Sequence, residues 1–261
     1  MATALTSTKT VVARIPYLNC APFFHGWTSA EWTWADGSPR RLGQEAEAGR
    51  VAAGPMALAD FLRLGPAFER LGALGVAVRG RCESVMLFSK RPVRQLDGAV
   101  IGVTDDTSTS ALLLRLLLEQ RYKLAPASYA RGGTAGDDND ALLLIGDEAL
   151  KFRHANRLYP YETDLAFEWW LWQHLPMVFA VWTVRADAPA EFKQHVSRSL
   201  QKQLAVNLAR LKTIAEEQAP ALGLPAPHLA AYLEKFVYRF GALEEQAITQ
   251  FSHVLHEHHL L

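Results

Sequence analysis

One stretch constrains this chain more than any other: Ala99 to Arg121, AVIGVTDDTSTSALLLRLLLEQR. Val100-Ile101-Gly102-Val103 is a short apolar run rich in β-branched residues and reads as a buried parallel strand. Ala111 to Leu118 is apolar nearly all round and reads as a buried helix. Between them stand five hydroxyls, on Thr104, Thr107, Ser108, Thr109 and Ser110, with Asp105 and Asp106 among them. A strand running into a helix through such a turn presents N–H and hydroxyl donors at a helix N-terminus, an arrangement suited to a carboxylate or phosphate. One hydroxyl suffices for an N-cap and this turn offers five, so an anion site is the favoured reading beside the simple cap. Open α/β sheets bind ligands at the carboxyl ends of their strands, where this turn lies.

The other bounds are negative. A formal charge of zero suggests no nucleic-acid surface. The two cysteines, Cys20 and Cys82, form no CxxC pair and support neither a disulfide framework nor thiolate metal binding. No run approaches the length of a membrane span, and residues 1–10 are polar without the apolar core of a secretory signal, so the expectation is a cytoplasmic chain. The tail histidines His253, His256, His258 and His259 have no third ligand at a defined spacing, and no metal site is expected. The acidic run Asp137 to Asp140 lacks the glycine and later glutamate of a calcium loop and reads as solvated.

Strand-like runs recur at Val11–Ile15, Leu71–Val78, Ser84–Ser89, Ala141–Ile145 and Met177–Val184, separated by helical segments, and the chain from Ala188 reads as helical to its end. Several polar residues sit where such strands end. Asn19 follows the first strand and is equally a ligand amide or an Asx-turn. Ser84 opens a strongly apolar strand and is either a cleft hydroxyl or the end of a loop. Asp147 starts a helix after Ala141–Ile145, where a cap is the commoner use and a cleft position the other. Asp164 reads as the cap of the aromatic helix Leu165–His174, whose Trp169, Trp170 and Trp172 cannot all face the core, leaving one to wall a pocket.

Breaks at Arg91-Pro92-Val93 and near 181 predict two crossings between an α/β lobe of residues 1–90 plus 182–261 and a second lobe of residues 91–181. The C-terminal helices then pack on the first lobe. Two lobes joined by two strands form a hinged clamp with ligand between them.

Tyr17-Leu18-Asn19 with Pro22, Ser84-Val85-Met86-Leu87-Phe88-Ser89, Leu96-Asp97-Gly98, Thr107 to Ser110, Leu144-Ile145-Gly146-Asp147, Tyr159-Pro160-Tyr161 with Asp164-Leu165, and Leu175-Pro176 with Phe179-Ala180-Val181-Trp182 occur in this order. As an ordered set, spanning about residues 11 to 185, they resemble the chorismate dehydratase family of the futalosine route to menaquinone. The resemblance implies a type II periplasmic-binding-protein-like fold. It implies dehydration of chorismate to 3-[(1-carboxyvinyl)oxy]benzoate, with chorismate as the small-molecule substrate; the motif residues are amides and hydroxyls with no metal-ligand cluster, so neither a metal nor an organic cofactor is expected. It places Asn19 and Ser84 at the substrate as catalytic residues, and groups Tyr17, Thr107, Ser108, Thr109, Ser110 and Asp147 as substrate-binding. The motif positions offer amides and hydroxyls, none basic at neutral pH, so the substrate's own enolpyruvyl carboxylate is the expected base. The competing readings are a non-catalytic small-anion binding protein of the same fold and the related dihydroxynaphthoate synthase, whose first motif differs from Tyr17-Leu18-Asn19. Oligomeric state is not legible from these motifs.

Overall fold

The structure, a computed structural model, describes residues 10–134 and 137–261. The leader reading of residues 1–10 therefore falls almost wholly outside the described residues, as do two positions of the loop before Asp137. The chain begins with β1 (Thr10–Arg14), a 3-10 turn (Leu18–Cys20), α1 (Ala21–Phe24), β2 (Trp32–Asp36), α2 (Pro39–Glu47), β3 (Ala53–Ala57), α3 (Leu58–Leu64) and β4 (Phe68–Val78). It continues with β5 (Val85–Ser89), β6 (Val100–Val103), α4 (Thr109–Arg115), β7 (Ser128–Arg131), β8 (Ala141–Ile145), α5 (Gly146–Ala155), β9 (Tyr161–Asp164) and α6 (Leu165–Gln173). It ends with β10 (Met177–Arg185), α7 (Ala190–Leu208), α8 (Leu211–Leu222), α9 (Ala226–Leu233), β11 (Phe236–Arg239) and α10 (Ala242–Glu257).

These strands form two sheets. The first has the order β11-β4-β10-β3-β1-β2 and the second β7-β6-β8-β5-β9. β6 pairs in parallel with both β7 and β8, as its apolar run predicts. Both faces of the second sheet are covered, which is why β8 is Ala-Leu-Leu-Leu-Ile without alternation. With period 2, Leu87, Leu143 and Ile145 join the main core with Leu113, Leu114 and Trp169. Met86, Phe88, Leu142 and Leu144 turn to the other face and pack with Ala149 and Tyr159. The helix expected over Ala111–Leu118 is present, and it passes into a π-helical segment over Leu116–Arg121 with Leu116, Leu117 and Leu118 buried.

The crossings lie elsewhere than the sequence suggests. β5 pairs with β8 and β9, so Val85–Ser89 belongs to the second sheet and the first crossing is residues 79–84, not the proline break at 91. β10 pairs with β3 and β4 from Met177 onward, so the second crossing is residues 174–176, not 181. The boundaries 1–90, 91–181 and 182–261 shift accordingly. The reason is that a fully apolar strand fits either sheet equally well by composition; only its long-range partners assign it. The C-terminal region packs on the first lobe, as expected, through contacts of α7 with β4 and α10 with β10. It also contributes β11, an antiparallel partner of β4 that the helical reading omitted.

Among the described residues, no helix is long and apolar enough to cross a membrane, and no group of three or more His, Cys, Asp or Glu side chains is placed to hold a metal ion.

Candidate functional site

A narrow cleft with a volume of ≈ 50 Å³ lies between the two sheets. From the first lobe it is lined by Ile15, Tyr17, Asn19, Cys20 and Phe179, and from the second by Val85, Thr107, Thr109, Ser110 and Gly146. Each polar residue arrives at the carboxyl end of a strand: β1 delivers Tyr17 and Asn19, β6 the hydroxyl turn, and β8 Gly146.

The hydroxyl turn divides into distinct tasks. Thr107 Oγ1, one residue before the Ser108 N-cap, accepts from the Ser110 backbone N–H at 3.1 Å and so satisfies one amide of the first turn of α4. Thr109 Oγ1 accepts from the Ala59 N–H at 3.1 Å and lies 3.2 Å from the Phe179 carbonyl, to which it donates. Both partners belong to the first lobe, so Thr109 is a clasp between lobes. Ser108 faces the buried Asp60 carboxylate of α3 and takes no part in the cleft lining, contrary to its grouping with the substrate-binding residues. Ser110 is buried in the cleft wall and its hydroxyl has no hydrogen bond among the described residues. The hydroxyls of this one turn thus have different partners.

Asn19 lines the cleft, and its buried Oδ1 has no hydrogen-bond partner among the described residues. Its turn is gripped by the second lobe. The Tyr17 hydroxyl faces Asp106, and burial together with that carboxylate and Asp147 pushes the phenol far above its usual range. A Cβ on Gly146, which has φ +60°, would stand 2.7 Å from the Tyr17 ring, so glycine serves both the left-handed backbone and the close approach. Arg40 adds a backbone bond to the Asp106 carbonyl at 3.1 Å and an ion pair to Asp105 at 3.1 Å.

Asp147 neither lines the cleft nor caps its own helix. It sits one residue into α5, whose N-cap is Ile145, and its Oδ1 accepts from the Leu18 N–H across the cleft at 2.9 Å. Burial pushes its carboxyl up while the Leu18 bond pulls it back. Asp164 is the cap expected of α6, accepting from Phe167 N at 3.1 Å, and it also accepts from the Cys82 and Glu83 amides of the first crossing.

Ser84 stands behind the wall rather than in it. It is fully buried, and its Oγ accepts from the Tyr232 hydroxyl at 2.8 Å while Val85 takes the lining position. Strand alternation explains this: neighbouring residues point to opposite sides, and a slip of one residue exchanges them. Of the three tryptophans in α6, Trp169 is core and donates to the Pro176 carbonyl, and none lines the cleft. Tyr232, Asp60, Asp106 and Phe179 were invisible as site residues because each acts through a partner more than forty positions away.

The sequence pattern of the menaquinone-biosynthesis family matches residues 10–257. A chorismate dehydratase of Thermus thermophilus is 29% identical over 254 residues, covering 92% of each chain. A crystal structure of an Archaeoglobus fulgidus protein superposes with a TM-score of 0.77 at 19% identity, over 98% of this chain and 100% of that one. The alkanesulfonate-binding protein SsuA of Xanthomonas axonopodis pv. citri, bound to MOPS, does so at 0.68 and 14%, over 99% and 96%. The shared fold is that of periplasmic binding proteins. The family match runs through both sheets, both crossings and the C-terminal helices, and on it the chain belongs to the menaquinone-biosynthesis family.

Proposed function

We propose that this protein is a hydro-lyase that dehydrates chorismate to 3-[(1-carboxyvinyl)oxy]benzoate in the cleft between its sheets. The observation that carries this reading is the chemistry of the wall. Among the lining residues only Tyr17 and Cys20 titrate, and burial pushes both further from ionisation. Such a wall suits a reaction whose base arrives with the substrate. The proton at the ring carbon bearing the enolpyruvyl ether passes to the enolpyruvyl carboxylate, the C–O bond to the hydroxyl on the adjacent ring carbon breaks, that hydroxyl takes the proton back from the carboxylic acid and leaves as water, and the ring becomes aromatic. Tethering the base close to the proton replaces a protein base and contributes several kcal/mol when the geometry is held. Asn19 orients the reacting arm, and the free hydroxyl of Ser110 with the turn around it receives a carboxylate. The clasp of Thr109 on Ala59 and Phe179 keeps water out while the lobes are together.

The test is direct. Purified protein mixed with chorismate should produce an aromatic ultraviolet spectrum and a product lighter by one water. An analogue lacking only the enolpyruvyl carboxylate should bind and not eliminate. Saturable chorismate binding with no product would instead make the protein an anion-binding module. Normal turnover of the analogue would require a protein base.

A further inference from the structure

We propose that Asp147 is a positioning residue that aims Asn19, by supplying from the second lobe the cap that the Leu18–Cys20 turn lacks. The first N–H groups of any helical turn have no internal partner. Here the preceding residue, Tyr17, is extended and makes no side-chain cap. The acceptor comes instead from a residue 129 positions away: Asp147 Oδ1, 2.9 Å from the Leu18 N–H. That amide belongs to the residue immediately before Asn19, so its anchoring sets where the Asn19 side chain points. Asn19 Oδ1 is then left buried and, among the described residues, unpartnered in the cleft, as an acceptor reserved for a bound molecule would be.

The junction of β8 and α5 is shaped for this contact. Gly146 adopts φ +60° and lets the Tyr17 ring lie where a Cβ would be 2.7 Å away, bringing Asp147 up to the Leu18 amide. The groups facing Asp147 are Lys151 from its own helix, Tyr17 and Cys20 from the turn, and Tyr232 from α9. Burial pushes the tyrosines and the cysteine up, so they are neutral, and Lys151 is the one charge among them. The Leu18 bond joins the two lobes, so the turn is capped only while they are together. Closure and the aiming of Asn19 are one event, which ties the chemistry to a closed cleft.

This inference rests on the hydro-lyase reading for its kinetic arm and not for its structural arm. The experiment compares wild type, Asp147→Asn, which keeps Oδ1, and Asp147→Ala, which does not. Hydrogen exchange of the Leu18–Cys20 amides is measured first. Protection should persist in D147N and fall in D147A; equal protection in D147A and wild type overturns the proposal whatever the reaction. With chorismate, D147A should lose roughly ten- to a hundredfold in kcat, the value of a charge-assisted hydrogen bond, with a much smaller change in KM. D147N should recover most of that loss, and its acid limb of kcat should move to lower pH, since the amide does not protonate. Wild-type kcat in D147A, or equal loss in both variants, overturns the proposal. Absence of turnover in wild type defeats the hydro-lyase reading and leaves the exchange result to decide this one.

Discussion

The Tyr232 hydroxyl of α9 donates a hydrogen bond to Ser84 Oγ at 2.8 Å, joining the C-terminal helices to the end of the first crossing. The crossing is anchored elsewhere too: Arg79 pairs with the buried Glu244 of α10 at 2.9 Å, and Glu83, in a left-handed conformation at φ 65°, is bonded to Lys235. Ser84→Ala strands a fully buried hydroxyl on Tyr232 and should cost about 1–3 kcal/mol, whereas Tyr232→Phe should cost about 1 kcal/mol. The double variant should be less destabilised than the sum of the two. Denaturant unfolding of all four proteins gives the coupling, and strict additivity would show that the bond contributes nothing.

Asn19→Ala should separate function from stability. Its Oδ1 has no partner among the described residues, so removing it forfeits no hydrogen bond made by that atom to them. Turnover should fall a hundredfold or more, the roughly 2–4 kcal/mol typical of a donor or acceptor aimed at the reacting arm. Melting temperature should be unchanged or slightly raised. Wild-type turnover in a normally folded variant would remove Asn19 from the reaction.

Gly146→Ala should fail in two ways at once. The new Cβ meets the Tyr17 ring at 2.7 Å, and the backbone stays in a region unfavourable to L-residues. A stability loss of about 1–3 kcal/mol is expected for the backbone alone. Displacing Tyr17 should also open the cleft, so small-angle scattering should show a larger radius than wild type under identical conditions.

A pH effect follows from Asp60, which burial pushes above the ordinary carboxylate range while Ser108 and Arg63 pull it back. Its folded pKa lies above its unfolded one. Its favourable contribution to stability is therefore present at low pH and is lost as pH rises through the folded value. Asp60→Asn lacks this dependence. The melting temperature of wild type minus that of D60N should fall as pH rises from about 4, the unfolded carboxylate value, toward neutrality. A constant difference across that range would contradict burial as the dominant influence on the Asp60 carboxyl.

The sequence by itself determined the local elements around the hydroxyl turn and the cap of α6. The apolar run of Val100–Val103, the hydroxyl turn after it and the buried helix beyond all form as the residue pattern requires, and Asp164 caps α6. These depend on contacts within a few residues, where periodicity and capping chemistry are decisive. Asn19 and Ser110 reach the cleft for the same reason: the carboxyl end of a strand is a position that sequence can mark. Only the tertiary structure decided which sheet Val85–Ser89 joins, because an all-apolar strand suits either. It alone separated Thr109 from Ser110, neighbours of the same chemistry, giving one hydroxyl to Ala59 and Phe179 and leaving the other free in the cleft. It turned Ser84 to Tyr232 and Asp147 to Leu18, partners 148 and 129 positions distant. A hydroxyl or carboxylate carries no sequence mark of its acceptor or donor when that partner is brought in by the fold.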